Sequence, residues 1–143
     1  MQEFLEELDV QMLTGEDLKR LSPEKFAYIG DAVYELHIRT YAISTNKNRI
    51  HMVNRMSVKY VRASAQAYAV KNMQEFLSEE EWLLVKRGRN QKTISSPKNA
   101  NITDYKYATG FETLIGYLYL KEEIGRLTEI IAKAITIIES MEE

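Results

Sequence analysis

Apolar and polar positions along the chain repeat at a helical period, and no segment alternates at period two with turn signals at its ends. Ser22-Pro23-Glu24 reads as a helix start: a hydroxyl to cap, a proline whose missing N–H costs nothing there, and an acid at the positive end. The helix predicted from it runs from about 23 to 44, up to the polar run Ser44-Thr45-Asn46-Lys47-Asn48. Phe26, Ile29, Val33 and Leu36 on it suit a core. Glu24, Ala27, Asp31 and Glu35 share a different face. A second helix is predicted over roughly 49–72, with Ala63, Ala65, Ala67 and Ala69 allowing close packing. Ser78 and Glu81 form a capping box that opens a short helix through about Arg87, carrying Trp82. Residues 88–102 read as a polar, basic loop. Thr103 is the expected cap of a helix over about 104–121. The clearest stripe comes last, with Ile124, Leu127, Ile131, Ala134, Ile135, Ile138 and Met141 on one face. The pattern predicts an all-α fold, one domain over residues 1–143 with residues 1–22 as a lead-in.

Composition narrows the chemistry. With no cysteine there is no disulfide framework and no thiolate zinc site, and His37 and His51 alone are too few for a histidine metal cluster. No stretch approaches the roughly 18 apolar residues of a membrane span, and the acidic start is unlike a signal peptide. A cytoplasmic protein is the expectation. The net charge of −2 conceals an asymmetry: residues 36–103 hold 12 of the 19 Lys/Arg and four of the 21 acids, a balance of +8 against −10 for the flanks. A basic middle fits a polyanion partner, and it fits equally a solvated face that pairs with the acidic flanks on folding.

Two acids stand out by their surroundings. Glu112 is the one charged residue between Tyr107 and Leu120, a run too apolar to hold a bare carboxylate without a cleft, a partner or a metal. Asp31 follows Gly30, and Glu112 lies two residues after Gly110. A helix-interior glycine costs about 1 kcal/mol relative to alanine, so each marks a close helix–helix approach that could bring the two carboxylates together. Oxygen donors without Cys or His favour Mg²⁺ or Mn²⁺. From spacing alone, an ion pair with a nearby Lys or Arg is the competing explanation.

The run Phe26-Ala27-Tyr28-Ile29-Gly30-Asp31 resembles the signature helix of the ribonuclease III family, and Thr109-Gly110-Phe111-Glu112-Thr113-Leu114-Ile115-Gly116 resembles that family's second motif. The order and type of helices agree over nearly the whole chain. The resemblance implies a dimeric, helical endonuclease domain that cleaves double-stranded RNA with Mg²⁺. Asp31 and Glu112 match the catalytic, metal-holding acids, and Glu24 the first acid of the signature; Glu24, Glu35 and Asp104 are expected as supporting acids. Ala27 and Thr109 stand where two further family acids are usual. With those departures and no double-stranded-RNA-binding domain, the chain is similar to one branch of the family. That branch trims the 5′ and 3′ ends of precursor 23S ribosomal RNA, free or within the large ribosomal subunit.

The same losses also fit a catalytically degenerate RNA-binding or ribosome-associated protein of this fold. Lys86, Arg87, Arg89, Lys92 and Lys98, in and beside the basic loop, are the expected RNA-gripping residues. Pairing of two copies is expected through the signature helix, at Phe26, Tyr28, Ile29 and Val33.

Overall fold

The computed structural model describes residues 1–11, 13–45, 49–92, 98 and 101–141. Its helices are α1 (Gln2–Glu7), α2 (Gly15–Arg20), α3 (Pro23–Thr45), α4 (Ile50–Val61), α5 (Ala63–Lys71), α6 (Glu79–Arg89), α7 (Ile102–Leu120) and α8 (Ile124–Ser140), with a single 3₁₀ turn over Gln74–Phe76. Among the described residues there is no strand, and the fold is all-α. None of the helices is long and apolar enough to cross a membrane. The 1–22 segment contributes two short helices. The second opens on a reciprocal cap, in which Asp17 N donates to Thr14 Oγ1 at 3.1 Å and Thr14 N to Asp17 Oδ2 at 2.8 Å.

α7 is the axle of the bundle. It buries Ala108, Phe111, Thr113, Leu114, Ile115 and Leu118, apolar on nearly every side, and α3, α5, α6 and α8 all pack against it. Tyr34 of α3 meets Phe111 edge-on at 5.1 Å and donates its hydroxyl to the Tyr60 carbonyl at 2.9 Å, tying α3, α4 and α7 together. The expected capping box at Ser78 is present, with Glu81 N donating to Ser78 Oγ at 3.1 Å. Glu81 then reaches across to Arg126, whose Nη2 lies 2.8 Å from Oε1, and joins α6 to α8.

Several boundaries differ from the sequence reading, each for a packing reason. The helix expected over 49–72 is two, because Arg62 adopts an extended backbone (φ −61°, ψ 150°) between α4 and α5. The bend turns the small face of α5, with Ala65, Ala69 and Val70 buried, onto α7 and α8. α6 continues through Gly88 to Arg89, since Gly88 is buried against α7 and a Cβ there would collide with the Thr113 side chain. Asn101, not Thr103, caps α7: its Oδ1 accepts from Asp104 N at 3.1 Å, and Asn is the stronger capping residue. On α8 the buried face includes Ile130 and Ile137, while Ile124 and Met141 overhang the bundle's ends. On α3 the core takes Phe26, Val33, Tyr34 and Ile38, Ile29 is half-buried, and Leu36 points outward at 65% exposure.

Candidate active site

Two glycines position the acids. A Cβ on Gly30 would collide with the Glu112 carbonyl oxygen, and a Cβ on Gly116 with the Phe26 carbonyl oxygen, so α3 and α7 cross backbone to backbone at this pair. The close approach predicted at Gly30 is there, but its partner is Gly116. Gly110 instead admits α6, since a Cβ on it would strike the Val85 carbonyl. The helical phase explains the difference: Gly116 lies one turn beyond Glu112 and on its face, whereas Gly110 points to another neighbour.

The crossing brings Asp31 and Glu112 to the lining of one recess, close enough for the Asp31 charge to act on the Glu112 carboxyl. Burial, then the charge and hydrogen bond of Asp31, push the Glu112 carboxyl up to about 9, with Glu35 adding a smaller push in the same direction; an amide hydrogen bond from Gln66 works against them. Glu112 therefore holds its proton at neutral pH in the empty site. Among the described residues neither acid forms a salt bridge, so the competing ion-pair reading finds no partner there.

Two adjoining recesses meet at these carboxyls. One, of about 210 Å³, is lined by Asp31, Gln66, Tyr105, Thr109 and Glu112. The other, of about 730 Å³, lies along α3 and includes Glu24, Ala27, Asp31, Glu35 and Glu112. Glu24 is exposed in the first turn of α3. Glu35 sits at the recess but is paired with Arg39, Oε1 to Nη2, at 3.0 Å. Asp104 lies in the first turn of α7, off the lining of both recesses. Thr109 turns its hydroxyl to the Tyr105 carbonyl at 3.0 Å.

Gln66 is a polar residue of the site that periodicity does not single out. The only signal was a lone amide in the run Ala65-Gln66-Ala67. It is 4% exposed, and its Nε2 donates to the Val61 carbonyl at 2.7 Å, which fixes the amide's orientation because only nitrogen can donate there. Its Oε1 is buried with no hydrogen-bond partner.

The basic residues divide by position. Lys86, Arg87 and Arg89 occupy the last turn of α6. Arg87 is exposed, and Arg89 lies 5.3 Å from the Tyr107 ring with Nη1 donating to its hydroxyl at 3.3 Å. Lys92 and Lys98 are exposed. Residues 93–97 and 99–100, the interior of the expected basic loop, lie outside the described residues. None of the five basic residues lines either recess.

The donor set can be tested against a divalent cation. Among the described residues no group of three or more His, Cys, Asp or Glu is clustered as a metal cage. What the recess does hold is two carboxyls and an amide oxygen without a donor, all oxygen. That chemistry fits a hard cation that keeps several waters, and Asp31 and Glu112 are the residues that would hold it.

The Ribonuclease III domain model matches residues 24–123, the stretch from the first signature acid to the end of α7 and its turn. This chain belongs to the ribonuclease III family and is an endoribonuclease. More narrowly, it is similar to proteins named Mini-ribonuclease 3, the branch to which Ala27 and Thr109 pointed. It is 50% identical to that of Clostridium tetani over 127 residues, covering 88% of this chain and 84% of the relative. It is 45% identical to that of Thermoanaerobacter sp. over 139 residues, covering 97% and 96%. A protein of known crystal structure from Fusobacterium nucleatum superposes with a TM-score of 0.74 at 32% identity, over 84% of this chain and 96% of that one.

Proposed function

We propose that this protein is a Mg²⁺-dependent homodimeric endonuclease that cleaves double-stranded RNA and trims the 5′ and 3′ ends of precursor 23S ribosomal RNA in the cytoplasm. The whole 143-residue chain acts as one catalytic domain. The observation that carries this reading is the meeting of Asp31 and Glu112 on one recess at a glycine-paired crossing, without a salt-bridge cation among the described residues. Mg²⁺ bound there would neutralise charge on a scissile phosphate and lower the pKa of its water. Asp31 and Glu112 hold and orient, Glu24 and Glu35 add negative charge along the larger recess, and Ala27 and Thr109 leave room where bulkier acids would stand. Asp104, by its place, supports the start of α7.

Duplex RNA is recognised by shape and by its phosphates and 2′-hydroxyls, for which dispersed cations serve. Lys86, Arg87, Arg89, Lys92 and Lys98 are the proposed strand contacts. Support for a second copy comes from α3, where Tyr28, Ala32, Leu36 and Ile43 form one exposed stripe, Tyr28 at 84% exposure. Phe26 and Val33, expected on that surface, are spent inside the protein's own core, and Ile29 is half-buried against it. A two-fold pair would present two sites to the two strands.

The test is incubation of the purified chain with precursor 23S ribosomal RNA, with and without Mg²⁺, and mapping of the ends. Discrete cuts in duplexed terminal regions that need the cation are expected. Failure to cut any duplex under those conditions would overturn the proposal.

A further inference from the structure

The orphaned oxygen of Gln66 has a place in this site. We propose that Gln66 is a positioning residue of the carboxylate pair, its Nε2 anchored on α4 and its Oε1 placed to accept a hydrogen bond from a water held by the divalent cation. The inference rests on the metal-dependent reading above and adds to it a residue outside the two matched motifs.

Three observations converge on it. First, the side chain is almost wholly buried in a helix whose other buried residues, Ala65, Ala67, Ala69 and Val70, are apolar, so a leucine or methionine would satisfy packing alone. An amide is retained in such a place when both of its ends have work, since a buried polar atom without a partner is costly and uncommon. Second, one end is accounted for. Nε2 bridges the α4–α5 bend, donating to the Val61 carbonyl at 2.7 Å. Third, the other end is an acceptor only, and Gln66 lines the same small recess as both carboxyls. With a cation at the site both acids are ionised and only accept, so this oxygen then calls for a donor from elsewhere. A water on a cation held by the carboxyls would supply that donor, and an oxygen that aligns such a water would tighten the hold on the metal without ligating it.

The test measures Mn²⁺ binding to the full chain by the loss of the free-ion paramagnetic signal, without RNA and without turnover. Gln66→Met keeps the volume and loses both amide ends. Gln66→Glu loses the Nε2 donor and keeps an oxygen at the place of Oε1. The expected result is a Kd for Mn²⁺ weaker by about 10- to 100-fold in Gln66→Met and restored to the native value or tighter in Gln66→Glu. A role confined to the α4–α5 bend would give a lower Tm in Gln66→Met with an unchanged Kd, and Gln66→Glu would then be the worse of the two; either result overturns the proposal. Should Gln66→Met fail to fold, Gln66→Glu decides alone: native or tighter Mn²⁺ binding supports the role, and lost binding overturns it. Asp31→Asn, run alongside, separates this inference from the reading beneath it. Lost Mn²⁺ binding there with native binding in Gln66→Met removes Gln66 only, whereas native binding in both removes the metal site itself.

Discussion

Gly116→Ala should disable the enzyme without touching a carboxylate. A Cβ at Gly116 would fall inside the Phe26 carbonyl oxygen and 3.0 Å from Ile29 Cγ2. An ordinary carbon–oxygen contact is about 3.3–3.6 Å, and the Phe26 carbonyl belongs to the α3 backbone and cannot swing aside. The axes of α3 and α7 must therefore separate by more than about 1 Å. Overpacking of this kind costs about 1–3 kcal/mol, offset by up to about 1 kcal/mol from replacing a helix-interior glycine. The net loss of up to about 2 kcal/mol should lower Tm by up to several degrees and leave the fold intact. Catalysis suffers more, because Asp31 and Glu112 sit on the two helices being wedged apart, and a misplacement of about 1 Å can cost about 100-fold in rate. Single-turnover cleavage of a short RNA duplex, with melting followed by circular dichroism, measures both effects. Gly125→Ala on α8 is the control: nothing lies within 4 Å of its Cβ, so it should cleave normally and melt no lower than the native protein. Native cleavage and melting in Gly116→Ala would refute the argument that this crossing assembles the site.

Asp31→Asn and Glu112→Gln should each abolish cleavage while helical content and duplex binding persist; undiminished cleavage by Asp31→Asn would falsify the site assignment. Replacing Arg87, Arg89 and Lys92 together should weaken duplex RNA binding and flatten its salt dependence by about two to three in log–log slope, measured by fluorescence anisotropy from 50 to 200 mM salt as an order-of-magnitude range; native binding would remove this end of α6 from the RNA contact. Tyr28→Glu combined with Leu36→Glu should yield a monomer by light scattering at micromolar protein, and a mass still double that of the chain would count against the α3 stripe as the pairing surface. Glu81→Gln keeps a capping-box residue and removes the charge facing Arg126, so it should cost about 1–3 kcal/mol at neutral pH. The hydrogen bond from Arg126 holds the Glu81 carboxyl below its ordinary 4.5. The stabilisation is therefore full above that value and fades as pH falls through the lower folded value; urea melts at pH 7 and pH 3 should show the gap closing, and a gap that widens in acid would contradict the pairing.

Helix content, the starts at Pro23 and Ser78 and the choice of Asp31 with Glu112 were legible in the sequence, because each depends on residues within a turn or two. A capping box is complete within four positions, and a carboxylate stranded among Phe111, Thr113, Leu114 and Ile115 is conspicuous whatever surrounds it. The bend at Arg62 was not legible: no glycine or proline marks it, and it exists because the alanine face of α5 packs on α7 and α8. Nor could periodicity say that Phe26 and Val33 turn inward while Tyr28 and Leu36 remain outside, since both sets are apolar and the helix has room for only one against α7. The partner of Gly30 and the place of Gln66 belong to the same class. Helical phase is set locally, but which turn of α7 meets which turn of α3, and what then faces the carboxyls across the α4–α5 bend, is decided by the docking of elements some eighty residues apart. Backbone contact at Gly30 and Gly116 fixes that register, and the chemistry of the site follows from it.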